Sequence, residues 1–372
     1  MKKHILFLIP NLMHGGAEKV LVNLVNNLNR EKYDITVQTL FDVGVHMDSL
    51  KPHIHYVPGF KTYFRGNAFL VKCIPPSLLW RLLVKEHYDI AVSYLEGPTS
   101  RILSGCKDKD TKQVAWIHIE LDTPEKAATG FRNPAEAEYA YNGFDKIIAV
   151  SNQVRDCFQR NLNIVKPVDV LYNTNETDQI QKLAKEEPGN AFFLENEEIR
   201  VCSVAKLMKS KGFDRLLAVH KRLMDEGLKH HIYILGIGEE QVRLEQQMKD
   251  LGITDSVTLL GFHKNPYKYV NRCDLYVCSS HREGFSTAVT EALIVGTPVV
   301  STDCSGAKEL LGENDEYGLV VENSEEGIYR GMKMLVSNPE LRAHYREKAK
   351  QRGSYFSREE TVKAVEEMLD NL

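Results

Sequence analysis

The chain has 372 residues, 43% hydrophobic and 26% charged, and its 47 Lys+Arg against 51 Asp+Glu leave a formal net charge of −4. That length suits two domains of about 150–200 residues each, and the composition excludes a disordered, fibrous or disulfide-stapled chain. The near balance of charge gives no global basic field for nucleic acid.

The first run, His4–Ile9 stopped by Pro10, predicts a strand and is too short for the apolar stretch of a signal peptide. No stretch approaches the ~18 apolar residues that span a bilayer. Cys73, Cys106, Cys157, Cys202, Cys273, Cys278 and Cys304 are odd in number and scattered, without a CxxC. They fit a reducing compartment rather than a disulfide framework or zinc site, so a cytoplasmic protein is expected. Leu21, Leu24, Val25 and Leu28 then recur at helical spacing, and Ile35–Leu40 is strand-like.

Residues 49–85 carry no acidic side chain, while Lys51, Lys61, Arg65, Lys72, Arg81 and Lys85 give +6 among aromatics such as Phe60, Tyr63, Phe64, Phe69 and Trp80. Such a segment can rest peripherally on the anionic inner surface of a membrane, or be a solvated helical face above core. Ile90–Tyr94, Gln113–Ile117 and Lys146–Val150 continue a βα alternation. A polar, acidic stretch from Lys185 to Glu198, with Pro188 and Gly189, reads as a linker.

A second series follows: strands Arg200–Ala205, His231–Leu235, Val257–Leu260, Leu275–Cys278 and Pro298–Ser301, with helices Leu216–Glu226, Glu239–Leu251 and Thr287–Val295 between them. An amphipathic helix, Ser357–Leu372, comes last. The expected fold is α/β, with two facing Rossmann-like, doubly wound parallel sheets and ligands in the cleft between them. The expected divisions are a first domain 1–190, a second domain 191–355, and a helix 356–372 returning to the first domain.

Three segments carry chemistry. Gly15-Gly16, after the first strand, can bring backbone close to an anion at a helix N-terminus, or simply make a turn. Lys206, Lys209 and Lys211 lie within six residues at another strand end, where they can grip a diphosphate or form an exposed basic loop. Glu283 and Glu291 flank the amides of Gly284–Thr287, so two carboxylates surround an anion site, as a sugar nucleotide would require.

In combination the chain resembles the family 4 retaining glycosyltransferases of the GT-B architecture. The resemblance rests on Gly15-Gly16-Ala17-Glu18, Lys206…Lys211-Gly212, the Glu-x7-Glu pair Glu283/Glu291, Gly296-Thr297-Pro298-Val299-Val300, Gly306-Ala307-Lys308-Glu309 and Tyr317-Gly318-Leu319-Val320-Val321. It covers nearly the whole chain and is strongest from 200 to 325. It implies a metal-independent hexosyltransferase that uses a nucleotide-diphosphate sugar, UDP-linked in most members with GDP left open, and no cofactor. By the same resemblance 1–190 would bind the acceptor and 191–355 the donor, and the acceptor would be a saccharide, compatible with a polyprenyl-diphosphate-linked one in capsule, exopolysaccharide or glycan assembly.

The resemblance also implies roles. Gly15 and Gly16 would lie against the donor diphosphate, and Lys206 and Lys211 would neutralise it. Glu283 would bind the transferred sugar and Glu291 the ribose, while amides of Phe285, Ser286 and Thr287 hold phosphate and sugar. His118, after the strand Gln113–Ile117, would stand near the reacting sugar, and the donor phosphate would take the acceptor's proton. Two departures stand out. Ala205-Lys206 replaces the usual Gly-Arg and loses the guanidinium fork; Asn173-Thr174-Asn175-Glu176 replaces Asn-Gly-Val-Asp.

Asp108-Lys109-Asp110 has the form of a metal-binding DxD but reads as a charged turn, and Gly236-Ile237-Gly238 lacks the third glycine of a dinucleotide fingerprint. A sugar-nucleotide epimerase of the same architecture, and a non-catalytic nucleotide-sugar-binding partner of a synthase complex, stay open.

Overall fold

The computed structural model describes residues 2–13, 15–62, 71–188 and 199–372. The chain forms two compact units, Met1–Asn175 with Arg358–Leu372, and Glu176–Ser357.

The first unit is built on seven parallel strands: β1 (Lys3–Ile9), β2 (Tyr33–Thr39), β3 (His55–Val57), β4 (Ile90–Ser93), β5 (Lys112–Ile117), β6 (Lys146–Ala149) and β7 (Val168–Val170), in the order β3-β2-β1-β4-β5-β6-β7. Ile5 pairs with Ile35 on one side and Ile90 on the other. Because helices cover both faces, β1 reads as an unbroken apolar run and buries Ile5 through Ile9. The strand order reverses between β1 and β4, so the loops that follow these two strands diverge and leave a crevice.

The helix Gly16–Asn27 buries Leu21, Leu24 and Val25, and Leu28 is buried at its C-cap, the helical spacing expected from the sequence. Helix Pro134–Gly143 starts at an N-cap whose Asn133 side chain accepts from the Glu136 amide at 2.9 Å, and has proline in its first turn. In the basic segment, helix Pro76–Leu83 turns Leu79 into a cluster with Leu8, Leu40, Phe41 and Ile102, so part of its apolar content is core. The fully buried Arg101 guanidinium donates to the carbonyls of Val71 and Ile74, and Arg132 to those of Lys72 and Cys73. Tyr63, Phe64, Arg65 and Phe69 lie outside the described residues. Among the described residues no helix is long and apolar enough to cross a membrane.

The second unit has six parallel strands: β8 (Ile199–Val204), β9 (His230–Leu235), β10 (Val257–Gly261), β11 (Leu275–Cys278), β12 (Val299–Thr302) and β13 (Leu319–Val321), in the order β10-β9-β8-β11-β12-β13. Val201, Ile232, Ile234, Leu275, Val277 and Val300 form its central layer, packed against Leu216, Leu217, Ile328 and Met332 from covering helices. Here the order reverses between β8 and β11. Two doubly wound α/β sheets are therefore present, as the alternation of elements implied.

The division between units falls at Asn175/Glu176, ahead of the expected 190/191 boundary. The helix Thr177–Ala184 explains the shift: Ile180 and Ala184 pack with Tyr267 and Ile294, and Asn265 donates to the Leu183 carbonyl at 2.9 Å. The boundary thus splits Asn173-Thr174-Asn175-Glu176, and residues 189–198 of the expected linker lie outside the described residues. Helix Arg358–Asp370 belongs to the first unit. There Lys32 Nζ reaches Asp370 Oδ2 at 2.7 Å, the Asn29 amide donates to Glu366 at 2.7 Å, and Val365 and Leu369 are buried.

Candidate active site

In the second unit, the loops after β8 and β11 meet at the point where the strand order reverses. After β8 the chain passes Lys206, which is exposed, makes a short turn Lys209–Lys211, and enters helix Phe213–Asp225 through Gly212. Gly212 has φ 62°, and a Cβ there would lie 2.2 Å from the Ser279 carbonyl oxygen, so only glycine lets the two loops touch. Ser279 Oγ donates to the Lys211 carbonyl at 2.9 Å. The Arg215 guanidinium donates to the Ser279 carbonyl at 2.9 and 2.6 Å and to Asn323 Oδ1 at 2.7 Å, while Asn323 donates onward to the His281 carbonyl.

This stitching brings Lys211 and Glu283 together. Lys211 Nζ lies 2.7 and 2.8 Å from the two Glu283 oxygens, and Ser280 Oγ donates to Glu283 Oε1 at 2.6 Å. Burial alone would lower the Lys211 ammonium, but the adjacent Glu283 carboxylate outweighs it and holds Lys211 above its usual value. Lys211 is thus held as a cation, largely out of water, against the Glu283 side chain.

The chain then passes Gly284 and buried Phe285, whose ring meets Phe356 edge-on at 5.6 Å, and starts helix Thr287–Ile294. Ser286 caps that helix, its Oγ accepting from the Val289 amide at 3.4 Å, which leaves the earlier amides at the helix start. Glu291 is buried one turn in, and the Tyr267 hydroxyl donates to it at 3.2 Å. Gly236 also shapes this edge: at φ 146° it approaches the Ala205 carbonyl so closely that a Cβ would lie 1.9 Å away. Gly236-Ile237-Gly238 is therefore a packing turn behind the Lys206 loop.

In the first unit, Gly15 is the N-cap of helix Gly16–Asn27 and Gly16 its exposed first residue. His118 follows β5 and is buried, its ring 4.6 Å from that of Tyr94 and stacked at 6.2 Å on Trp116. Burial pushes the imidazole down to about 3, so it is neutral at physiological pH. Its Nε2 is buried and has no hydrogen-bond partner among the described residues. Its backbone N–H donates to Glu96 Oε2 at 2.9 Å. Asp108, by contrast, caps an exposed turn by accepting the Asp110 amide at 3.0 Å, and it pairs with His87 at 3.2 Å.

The structure therefore gathers Lys211, Glu283, Phe285 and Ser286 on adjoining loops of one sheet, Thr287 and Glu291 on the helix that follows, and Lys206 on the loop after β8. Gly15, Gly16 and His118 stand at the corresponding edge of the other sheet. Ser280, Arg215 and Glu96 were not singled out by sequence reasoning. Ser280 lies inside the motif read for its carboxylates, and Glu96 carries the signal of an acidic residue just past a strand end.

Both sheets place their chemistry at the carboxyl ends of strands where the order reverses, the position at which doubly wound α/β enzymes bind ligands. Family comparison makes the class specific. Residues 14–179 match the family Glycosyltransferase Family 4, and residues 185–352 match Glycosyl transferases group 1. The chain belongs to these glycosyltransferases, and its fold is that of the GT-B type.

It is 35% identical over 195 residues to the N-acetylgalactosamine-N,N'-diacetylbacillosaminyl-diphospho-undecaprenol 4-alpha-N-acetylgalactosaminyltransferase of Campylobacter jejuni. That match spans 52% of this chain and 51% of the relative, about half the length of each. A glycosyltransferase of Haemophilus influenzae, described as uncharacterized, is 27% identical over 91% of this chain and 92% of its own. The crystal structure of Anabaena HepE in complex with UDP and glucose shares the fold, with a TM-score of 0.79 at 20% identity over 100% of both chains.

Proposed function

We propose that the chain is a retaining, metal-independent hexosyltransferase. It moves a sugar from a nucleotide-diphosphate donor, UDP-linked, to a polyprenyl-diphosphate-linked saccharide in capsule, exopolysaccharide or glycan assembly. The observation that carries this reading is the Lys211–Glu283–Ser280 cluster at the reversal point of the second sheet, next to the start of helix Thr287–Ile294. The name of the Campylobacter relative supports the acceptor class, and the UDP and glucose bound by HepE support the donor.

Cleaving the bond between anomeric carbon and phosphate builds negative charge on the diphosphate and positive charge on the sugar. Lys206, Lys211 and the amides of Phe285, Ser286 and Thr287 stabilise the leaving group, and one such preorganised donor is worth about 2.7–4 kcal/mol in comparable sites. Gly15 and Gly16 admit the diphosphate to the first unit's edge. Glu283 orients hydroxyls of the transferred sugar, Glu291 those of the ribose, and the neutral His118 ring offers Nε2 to the reacting sugar. The donor is cytoplasmic, so the reaction runs on the cytoplasmic side, with residues 49–85 resting on the membrane that holds the acceptor.

The test is a thermal-shift panel of UDP, GDP, ADP and CMP, followed by nucleotide release from the matching sugars. UDP should stabilise the protein, and one UDP-sugar should release UDP when the lipid-linked acceptor is added. Stabilisation by GDP would keep the transferase and replace its donor. An epimerised sugar nucleotide formed without acceptor would replace transfer by epimerisation. Binding of none would leave a non-catalytic protein.

A further inference from the structure

The amides of Phe285, Ser286 and Thr287 lie on one short run of chain, and its one large apolar side chain, Phe285, is buried. Whatever seats that ring therefore sets where the amides point. On one side stands the turn after β12: at Gly306, where φ is 78°, a Cβ would lie 2.9 Å from Phe285 Cδ2. On another, the ring meets Phe356 edge-on, with centroids 5.6 Å apart. Phe356 is fully buried at the end of helix Pro339–Tyr355, just before the chain re-enters the first unit at Arg358.

Phe356 is itself held from neighbouring elements. Gly353 brings its helix so close to helix Thr287–Ile294 that a Cβ there would lie 2.5 Å from the Leu293 carbonyl oxygen. The Arg352 guanidinium lies 4.9 Å from the centre of the Phe356 ring, 4.5 Å from that of Tyr355 and 4.9 Å from that of Tyr317. It also donates to the carbonyls of Leu310, at 3.0 Å, and Glu309. Those carbonyls end helix Ala307–Leu311 and find no partner within so short a helix. Every group in this chain of contacts belongs to the second unit.

Resting on the transferase reading above, we propose that Phe356 is a positioning residue for the transfer step. It touches no substrate; its ring fixes Phe285, and so holds the amides of 285–287 on the place where the leaving diphosphate gathers charge. Edge-to-face aromatic contact is directional, which burial of area alone is not. Leucine at 356 would fill much of the same space without offering a ring edge, and Phe285 would then shift within its slot. Displacing positioned groups by about 1 Å costs about 100-fold in rate, even when the change lies far from the chemistry. An ordinary core pair behaves differently: its loss lowers the melting temperature and leaves the kcat of the folded enzyme alone.

The experiment uses the full chain, the single variants Phe356→Leu, Phe285→Leu and Arg352→Lys, and the double variant Phe285→Leu/Phe356→Leu. UDP binding is measured by calorimetry, and kcat and KM with the UDP-sugar selected by the panel above and a short polyprenyl-diphosphate-linked N-acetylhexosamine. Amide hydrogen exchange over residues 283–291 gives a readout that needs no turnover. Phe356→Leu should lower kcat about 10- to 100-fold with KM for the UDP-sugar within about threefold. It should also speed exchange of 283–291 about tenfold while the strands of the same unit keep their protection. Phe285→Leu should match it, and the double variant should lose no more than the worse single one, because all three break one contact. Arg352→Lys keeps the charge but not the flat face against Phe356; it should lower kcat about fivefold, and it decides the matter if Phe356→Leu does not fold. Unchanged kcat in the folded variants, or losses that multiply in the double one, would reduce Phe356 to core packing. Wild-type protein that binds UDP but releases it from no UDP-sugar would overturn the transferase reading, and exchange over 283–291 would then decide alone whether Phe356 holds the loop.

Discussion

Glu283 accepts from donors of two kinds, the charged Lys211 and the neutral Ser280, and so is oriented before any ligand arrives. Glu283→Gln preserves a hydrogen-bond acceptor of the same shape but removes the charge. We expect it to cost about 3 kcal/mol of stability, because it leaves the Lys211 charge, largely out of water, without its counter-charge. Turnover should fall about 100-fold, as when one preorganised contact to a transition state is lost. Urea unfolding and UDP release measure the two separately, and retained turnover would remove Glu283 from the mechanism.

A second residue-scale prediction concerns a buried histidine chain in the same unit. His230 Nδ1 lies 2.7 Å from the Leu228 carbonyl, which can only accept. His230 Nε2 must then accept from His220 Nδ1 at 2.8 Å, and His220 Nε2 must accept from Ser256 Oγ at 2.8 Å. A proton added to His220 Nε2 would point at Ser256 Oγ and turn the serine hydroxyl toward the Ile253 carbonyl, 3.3 Å away. Burial, with the neighbouring His230 and His231, pushes His220 down to about 3. The unfolded chain takes up that proton near pH 6.5 while the folded one does not, so this contribution is present above 6.5 and is lost as pH falls toward 3. The slope should approach about 1.4 kcal/mol per pH unit. Denaturant unfolding between pH 4 and pH 7 should show it, and His220→Asn should flatten it.

At the scale of elements, the central strands were legible because burial on both faces leaves long apolar runs. The outermost strands of the first sheet were not: β3 and β7 are three residues each, too short for any periodicity, and each has a neighbour on one side only. Composition misplaced the domain boundary for a related reason. The polar stretch beyond Lys185 is a signal of composition alone, whereas the boundary is set by the side to which Ile180 turns. Ile180→Ala should therefore destabilise the second unit by about 2–4 kcal/mol, read as a lower urea midpoint for Glu176–Ser357. The site was legible where function demands a run of special residues, as at Glu283–Glu291. Glu96 escaped because a single carboxylate past a strand end looks like surface until the strand order places it at the reversal point.

For the whole molecule, the chain leaves the first unit after Asn175 and re-enters it at Arg358. The second unit is one continuous stretch, and the first is sewn from two. A fragment spanning 176–357 should fold alone, giving a cooperative melt and the helical signal of its share of the chain. A fragment ending at 175 should be loosened, because Tyr33 loses its hydrogen bond to Asp370 and the groove that holds Leu369 is opened. Adding the peptide 358–372 in trans should restore its melting temperature, and failure to do so would show that the helix is dispensable.

That discontinuity has a bearing on how the protein is made. A ribosome delivers the first sheet early, but the helix that covers Tyr33 and receives Lys3 and Lys32 is delivered only after the whole second sheet has emerged. The half synthesised first is thus the half finished last. During translation its uncovered patch is available to a chaperone, and a chain that stalls before Arg358 carries that patch as a mark of incompleteness.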